Sequence, residues 1–89
     1  MIFGKVQGVG FRAFSQSAAR ALELTGWTRN LKDGRVEILA TGEKQNLEDF
    51  EKILRRGPPH ATVDKLEAEF VAWDGKTQTD FILLADGES

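Results

Sequence analysis

The sequence predicts an α+β sandwich: one antiparallel sheet of four to five strands with two helices packed on one of its faces. Three observations predict it. Two segments carry apolar residues at helical spacing, each is flanked by stretches that read as strands, and a Lys32-Asp33-Gly34 turn joins two of those stretches directly. The resulting order, β-α-β-β-α-β with a fifth strand at the end, is the split βαβ arrangement called ferredoxin-like.

Taken in order, Met1 to Val6 reads as a short strand that runs straight into a glycine-rich turn at Gly8 and Gly10. From Phe11 the period changes. Phe11, Phe14, Ala18, Ala21 and Leu22 form one apolar stripe of a helix ending near Glu23, with Ser15, Gln16 and Arg20 off the stripe. Gly26 opens a second strand, Trp27 to Asn30, and the Asp-Gly turn leads into a third, Arg35 to Thr41. Leu47, Phe50, Ile53 and Leu54 mark the second helix. Arg55 and Arg56 suit the negative end of its dipole, and Gly57-Pro58-Pro59 stops it. From Thr62 to Trp73, the apolar Leu66, Ala68, Phe70 and Ala72 alternate with charged residues, as a half-buried strand requires. Phe81 to Leu84 reads as a short edge strand. Phe14, Phe50 and Phe70 are expected in the core, Glu67 and Glu69 on a solvated sheet face, and Trp27 either beside a site or capping the core.

Eighty-nine residues suit one domain, residues 1–89, that buries roughly 60–65% of its unfolded surface. A net charge of −2 argues against a nucleic-acid backbone or an anionic membrane as partner, both of which call for a basic face. With no cysteine in the chain, a disulfide framework, a thiolate nucleophile and a zinc-thiolate site are all excluded. Met1 enters a strand with no signal peptide ahead of it, so a cytoplasmic location is expected.

Right-handed crossovers send the first two strands in the same direction, with the third between them. Their C-terminal ends share one edge of the sheet, which therefore carries the glycine loop, Arg12 and Asn30. A strand-loop-helix junction aims unpaired backbone N–H groups into one concavity, where the helix dipole adds positive potential. Gly8 and Gly10 allow the backbone to come close to a ligand there. Arg12 stands at the unfavourable end of that dipole, a small penalty that a bound phosphoryl group would reverse, and its fork matches phosphoryl oxygens bidentately. Asn30, before a Lys-Asp-Gly turn, is on its own a conformational choice. At the edge that holds the loop, its carboxamide can also orient a water, which suggests hydrolysis.

Absences narrow the chemistry. His60 is the only histidine and lies in the Pro58-Pro59 loop, where no catalytic triad or metal cluster can be assembled around it. Without metal, base or nucleophile, phosphoryl transfer must rely on positioning and charge neutralisation, and so on a good leaving group. A carboxylate, whose conjugate acid has a pKa of ~4, needs no general acid. No cofactor is called for.

The run Gly4-Lys5-Val6-Gln7-Gly8-Val9-Gly10-Phe11-Arg12, the segment Gly26-Trp27-Thr28-Arg29-Asn30, the stretch Asp33-Gly34-Arg35-Val36-Glu37, and Gly57-Pro58-Pro59 with Ala61 and Val63 together resemble the acylphosphatase family. The resemblance spans nearly the whole chain. It implies hydrolysis of small acyl phosphates by a cytosolic monomer with no metal and no phosphoenzyme, inorganic phosphate being product and inhibitor. It also implies that Arg12 and the loop N–H groups of Gln7, Gly8, Val9, Gly10 and Phe11 bind the phosphate, while Asn30 orients the attacking water. Two departures from the family pattern are the short lead before Gly4, which shortens strand 1, and the continuation Ala85 to Ser89 past the last strand.

Rival readings fit less well. Gly8-x-Gly10-x-x-Ala13 with Asp33 matches a dinucleotide fingerprint in form, but Asp33 sits in a hairpin turn and 89 residues cannot hold both mononucleotide halves. No Gly-Lys-Ser/Thr follows the loop, so Walker A fails, and the third strand lacks the stacking aromatics of an RNA-recognition module. The serious rival is a non-catalytic anion-binding or regulatory domain of the same fold.

Overall fold

The elements form in the expected order: β1 (Ile2–Lys5), α1 (Phe11–Ala21), β2 (Thr25–Asn30), β3 (Val36–Thr41), α2 (Lys44–Arg56), β4 (Thr62–Leu66) and β5 (Phe81–Leu83). This computed structural model describes residues 1–69 and 80–85. Phe70, Ala72 and Trp73 of the expected fourth strand, and Asp86 to Ser89, lie outside them.

The sheet runs β4-β1-β3-β2-β5, so β3 separates β1 from β2 as right-handed crossovers require. The first four strands pair antiparallel. The fifth departs from the all-antiparallel expectation: it joins β2 in parallel, Gly26 opposite Phe81 and Thr28 opposite Leu83, and makes the sheet mixed. That direction delivers the C-terminal end of β5 to the edge where β2 ends at Asn30.

Between sheet and helices lies a core of Ile2, Val6, Phe11, Ala19, Leu24, Val36, Phe50, Leu54 and Phe81. Phe50 and Phe81 meet edge to face with ring centroids 5.9 Å apart, linking α2 to the last strand. Helix α1 is rotated from its expected stripe. Ser15 and Ala19 are buried, whereas Ala21 is exposed and Phe14 only half-buried. The Ser15 hydroxyl donates to the Phe11 carbonyl at 2.8 Å, so a small polar residue enters the core with its hydrogen bond made.

In β4 the strict alternation gives way to a register shift opposite Phe3 and Gly4, where Val63 and Lys65 are successive partners and Asp64 is the extra residue. Val63 and Leu66 both reach the core as a result, and Ala68, expected inside, is exposed beyond the strand's end. Gly4 makes the bulge possible: its φ is 127°, and a Cβ there would collide with the Thr62 carbonyl oxygen. At the other end of the sheet, Arg20 holds Asp80 through two hydrogen bonds of 3.0 and 2.7 Å, tying the last turn of α1 to the start of β5. That guanidinium, aided by the Phe81 N–H, lowers the Asp80 carboxyl below its ordinary range. The tie is therefore complete at neutral pH and is lost only as pH falls through the lowered value.

Thr28 is fully buried in β2, and its Oγ1 has no hydrogen-bond partner among the described residues. An unmet buried hydroxyl costs about 1–3 kcal/mol, and valine fills nearly the same space. Thr28→Val should therefore raise the unfolding free energy by about 1 kcal/mol or more. Urea titration checks this, and a lower midpoint at unchanged slope would show that the hydroxyl is bonded.

Candidate active site

The loop between β1 and α1 is shaped by two left-handed glycines, Gly8 at φ 74° and Gly10 at φ 79°. Gly10 is also the N-cap residue of α1, with no side chain capping the helix and no acidic residue in the first turn. The first backbone bond of the helix runs from the Phe14 N–H to the Gly10 carbonyl at 2.9 Å. The N–H groups before Phe14 have no partner within the helix and stand at its positive end. The loop is held from beneath by Val6 and Phe11, whose side chains are 1% and 2% exposed in the core. The two ends of the loop are thus anchored in the core.

A cavity of about 210 Å³ opens here, lined by Val6, Gly8, Gly10, Phe11, Arg12, Ala13, Asn30 and Leu83. Arg12 and Asn30, brought in by different elements, face the same space as the glycines. Of the other loop residues expected at the phosphate, Gln7 and Val9 do not line the cavity. Val9 packs its side chain against the core, and Gln7 turns its carboxamide to the β2–β3 turn. His60 is exposed, and no group of histidines and carboxylates among the described residues could hold a metal.

Two participants escaped the sequence reading. The Arg12 Nη1 donates to the Leu84 carbonyl at 3.0 Å, so the chain just past β5 orients the guanidinium, and Leu83 supplies an apolar wall. Leu84 is in turn fixed by its own N–H, which donates to the Thr28 carbonyl at 2.9 Å. A backbone carbonyl carries no residue-type signal, and only the parallel direction of β5 could have pointed to it. Trp27, left open between two roles, takes neither: it lies on the sheet face away from the helices, beside Leu39 and Ile82, with the Arg29 guanidinium 5.2 Å from its ring centroid. Arg29 also pairs with Glu37 at 2.6 Å on that face.

Fold and cavity together define a small α+β domain with a cavity between a glycine loop and the end of β2 at one edge of its sheet. A family model for acylphosphatase matches residues 1–82, and the chain belongs to the acylphosphatase family. It is 50% identical to the acylphosphatase of Koribacter versatilis over 72 residues, 81% of this chain and 66% of that protein. With the acylphosphatase of Legionella pneumophila strain Philadelphia 1 it shares 43% identity over 81 residues, 91% of this chain and 89% of the relative. The crystal structure of acylphosphatase from Bacillus subtilis superposes with a TM-score of 0.86 at 38% identity, covering 93% of this chain and 91% of that one. Full-length HypF, solved in a phosphate- and nucleotide-bound form, contains the same fold at a TM-score of 0.87 and 31% identity, covering 98% of this chain and 11% of HypF. Among the described residues, no helix is long and apolar enough to cross a membrane.

Proposed function

We propose that this chain is an acylphosphatase that hydrolyses small acyl phosphates to a carboxylate and inorganic phosphate. The observation that carries the reading is the single cavity shared by Gly8, Gly10, Arg12 and Asn30. The phosphoryl group sits in the cradle, its oxygens receiving the loop N–H groups of Gly8, Gly10 and Phe11 and the guanidinium fork of Arg12. Asn30 holds a water in line with the bond to be broken. The water oxygen bonds to phosphorus as the phosphorus–oxygen bond to the acyl group breaks, and the electron pair leaves with the carboxylate. Both water protons stay on the phosphate, so no general acid or base is required. Among the described residues, the side chains lining the cavity include no carboxylate, imidazole or thiolate, the donors metal ions favour. Charge neutralisation therefore falls to Arg12, and the reaction is metal-independent. Product phosphate competes for the same cradle. In line with the family resemblance, the protein works as a cytoplasmic monomer.

Benzoyl phosphate, followed by ultraviolet absorbance with chelator present, tests the reading. Turnover well above the buffer rate is expected. A rate equal to buffer would reject the enzyme, and phosphate binding by calorimetry would then support the alternative, a non-catalytic anion-binding or regulatory domain. The HypF likeness keeps that alternative in view, because the fold there forms about a tenth of a larger protein.

A further inference from the structure

The half-buried Gln7 lies one residue before Gly8, outside the cavity, and its carboxamide Nε2 donates to two backbone carbonyls across the sheet edge. It reaches Leu31 at 2.7 Å and Arg35 at 3.0 Å. These residues close the β2–β3 turn: the Leu31 N–H donates to the Arg35 carbonyl at 2.9 Å, and the Gly34 N–H to the Leu31 carbonyl at 3.2 Å. The amide is therefore inserted into the mouth of the turn, and Asn30 is the residue next to it.

This tie fills a gap in the sheet. Among the described residues, β1 and β3 share a single ladder pair, Ile2 with Val36. Beyond that pair the backbones no longer hold each other, yet the cradle follows β1 and Asn30 ends β2, the strand hydrogen-bonded to β3. Two neutral donors on one atom are what two facing carbonyls require. A carboxylate of the same shape could not donate at all.

We propose that Gln7 is a positioning residue: its side chain sets the separation and angle between the phosphate cradle and Asn30, and so the alignment of the attacking water. The inference rests on the acylphosphatase reading for its catalytic consequence and on the two hydrogen bonds for its structural one. Phosphate binding belongs to the loop backbone and Arg12, so it survives loss of the tie. In-line attack depends on the distance between the two halves, and a misplacement of about 1 Å can cost ~10²-fold in rate.

The test compares wild type, Gln7→Met, Asn30→Ala and the double variant, with Gln7→Asn as a second probe whose shorter side chain keeps the amide but cannot span the gap. Gln7→Met should lower kcat for benzoyl phosphate by about 10- to 100-fold while the inhibition constant for inorganic phosphate stays within about twofold of wild type. On the Asn30→Ala background it should have little further effect, because it acts through Asn30. An unchanged kcat, a parallel loss of phosphate inhibition, or an equal fall of kcat on both backgrounds would overturn the proposal. If wild type shows no turnover, the acylphosphatase reading fails and the tie is read by NMR. Phosphate titration should then still shift the Gly8 and Gly10 amides of Gln7→Met as in wild type, with an altered response at the Asn30 side-chain amide. Matching Asn30 responses would reject the positioning role, and Gln7→Asn takes the place of Gln7→Met if the latter does not fold.

Discussion

Arg12→Ala should lower kcat/KM for benzoyl phosphate by about 10³-fold or more and weaken inhibition by inorganic phosphate in step. The reasoning begins with charge. An acyl phosphate brings two negative charges into the site, and among the described residues that line it Arg12 is the one with a full opposing charge. Its fork makes two charge-assisted bonds where a lysine makes one point contact. Arg12→Lys should accordingly recover phosphate inhibition better than turnover. The Leu84 carbonyl, which now accepts from Nη1, becomes open to water in the alanine variant. Stability should therefore change by only about 1 kcal/mol, and a thermal melt separates lost chemistry from lost fold. Wild-type phosphate inhibition in Arg12→Ala would remove the arginine from the cradle.

Asn30→Ala should divide the two functions that Arg12→Ala loses together. A carboxamide that orients water contributes to the transition state and little to ground-state phosphate binding, so kcat should fall by about 10²–10³-fold with the phosphate inhibition constant nearly unchanged. The backbone argues that the effect is local: Asn30 ends β2 paired with Val36, and alanine keeps that pairing. Loss of phosphate binding comparable to that of Arg12→Ala would assign Asn30 to the phosphate instead of the water.

Much of the fold is legible in the sequence because the signals that specify it are local. The helix after Gly10, the Asp33-Gly34 turn and the stop at Gly57 each depend on backbone preferences within a few residues. The misses have physical causes of another kind. The buried face of α1 is the i, i+4, i+8 row Phe11, Ser15 and Ala19, and a polar Ser15 that bonds the Phe11 carbonyl does not register in a hydrophobic period. The β4 alternation broke at a bulge specified by its partner strand at Gly4, and periodicity within β4 does not carry that information.

For the site, the contiguous run from Gly8 to Arg12 carries the expectation of an anion cradle, since glycine φ preference and helix-end polarity act along the chain, and the left-handed Gly8 and Gly10 are found there. Topology rules extended this to Asn30, and both side chains line one cavity. The tertiary structure alone decided what orients them: the Leu84 carbonyl brought in by a parallel β5, and the Gln7 amide locked into the β2–β3 turn. These contacts end on backbone carbonyls, which every residue possesses. No residue type announces them, and they exist only once strand order and register have placed distant segments within hydrogen-bond reach.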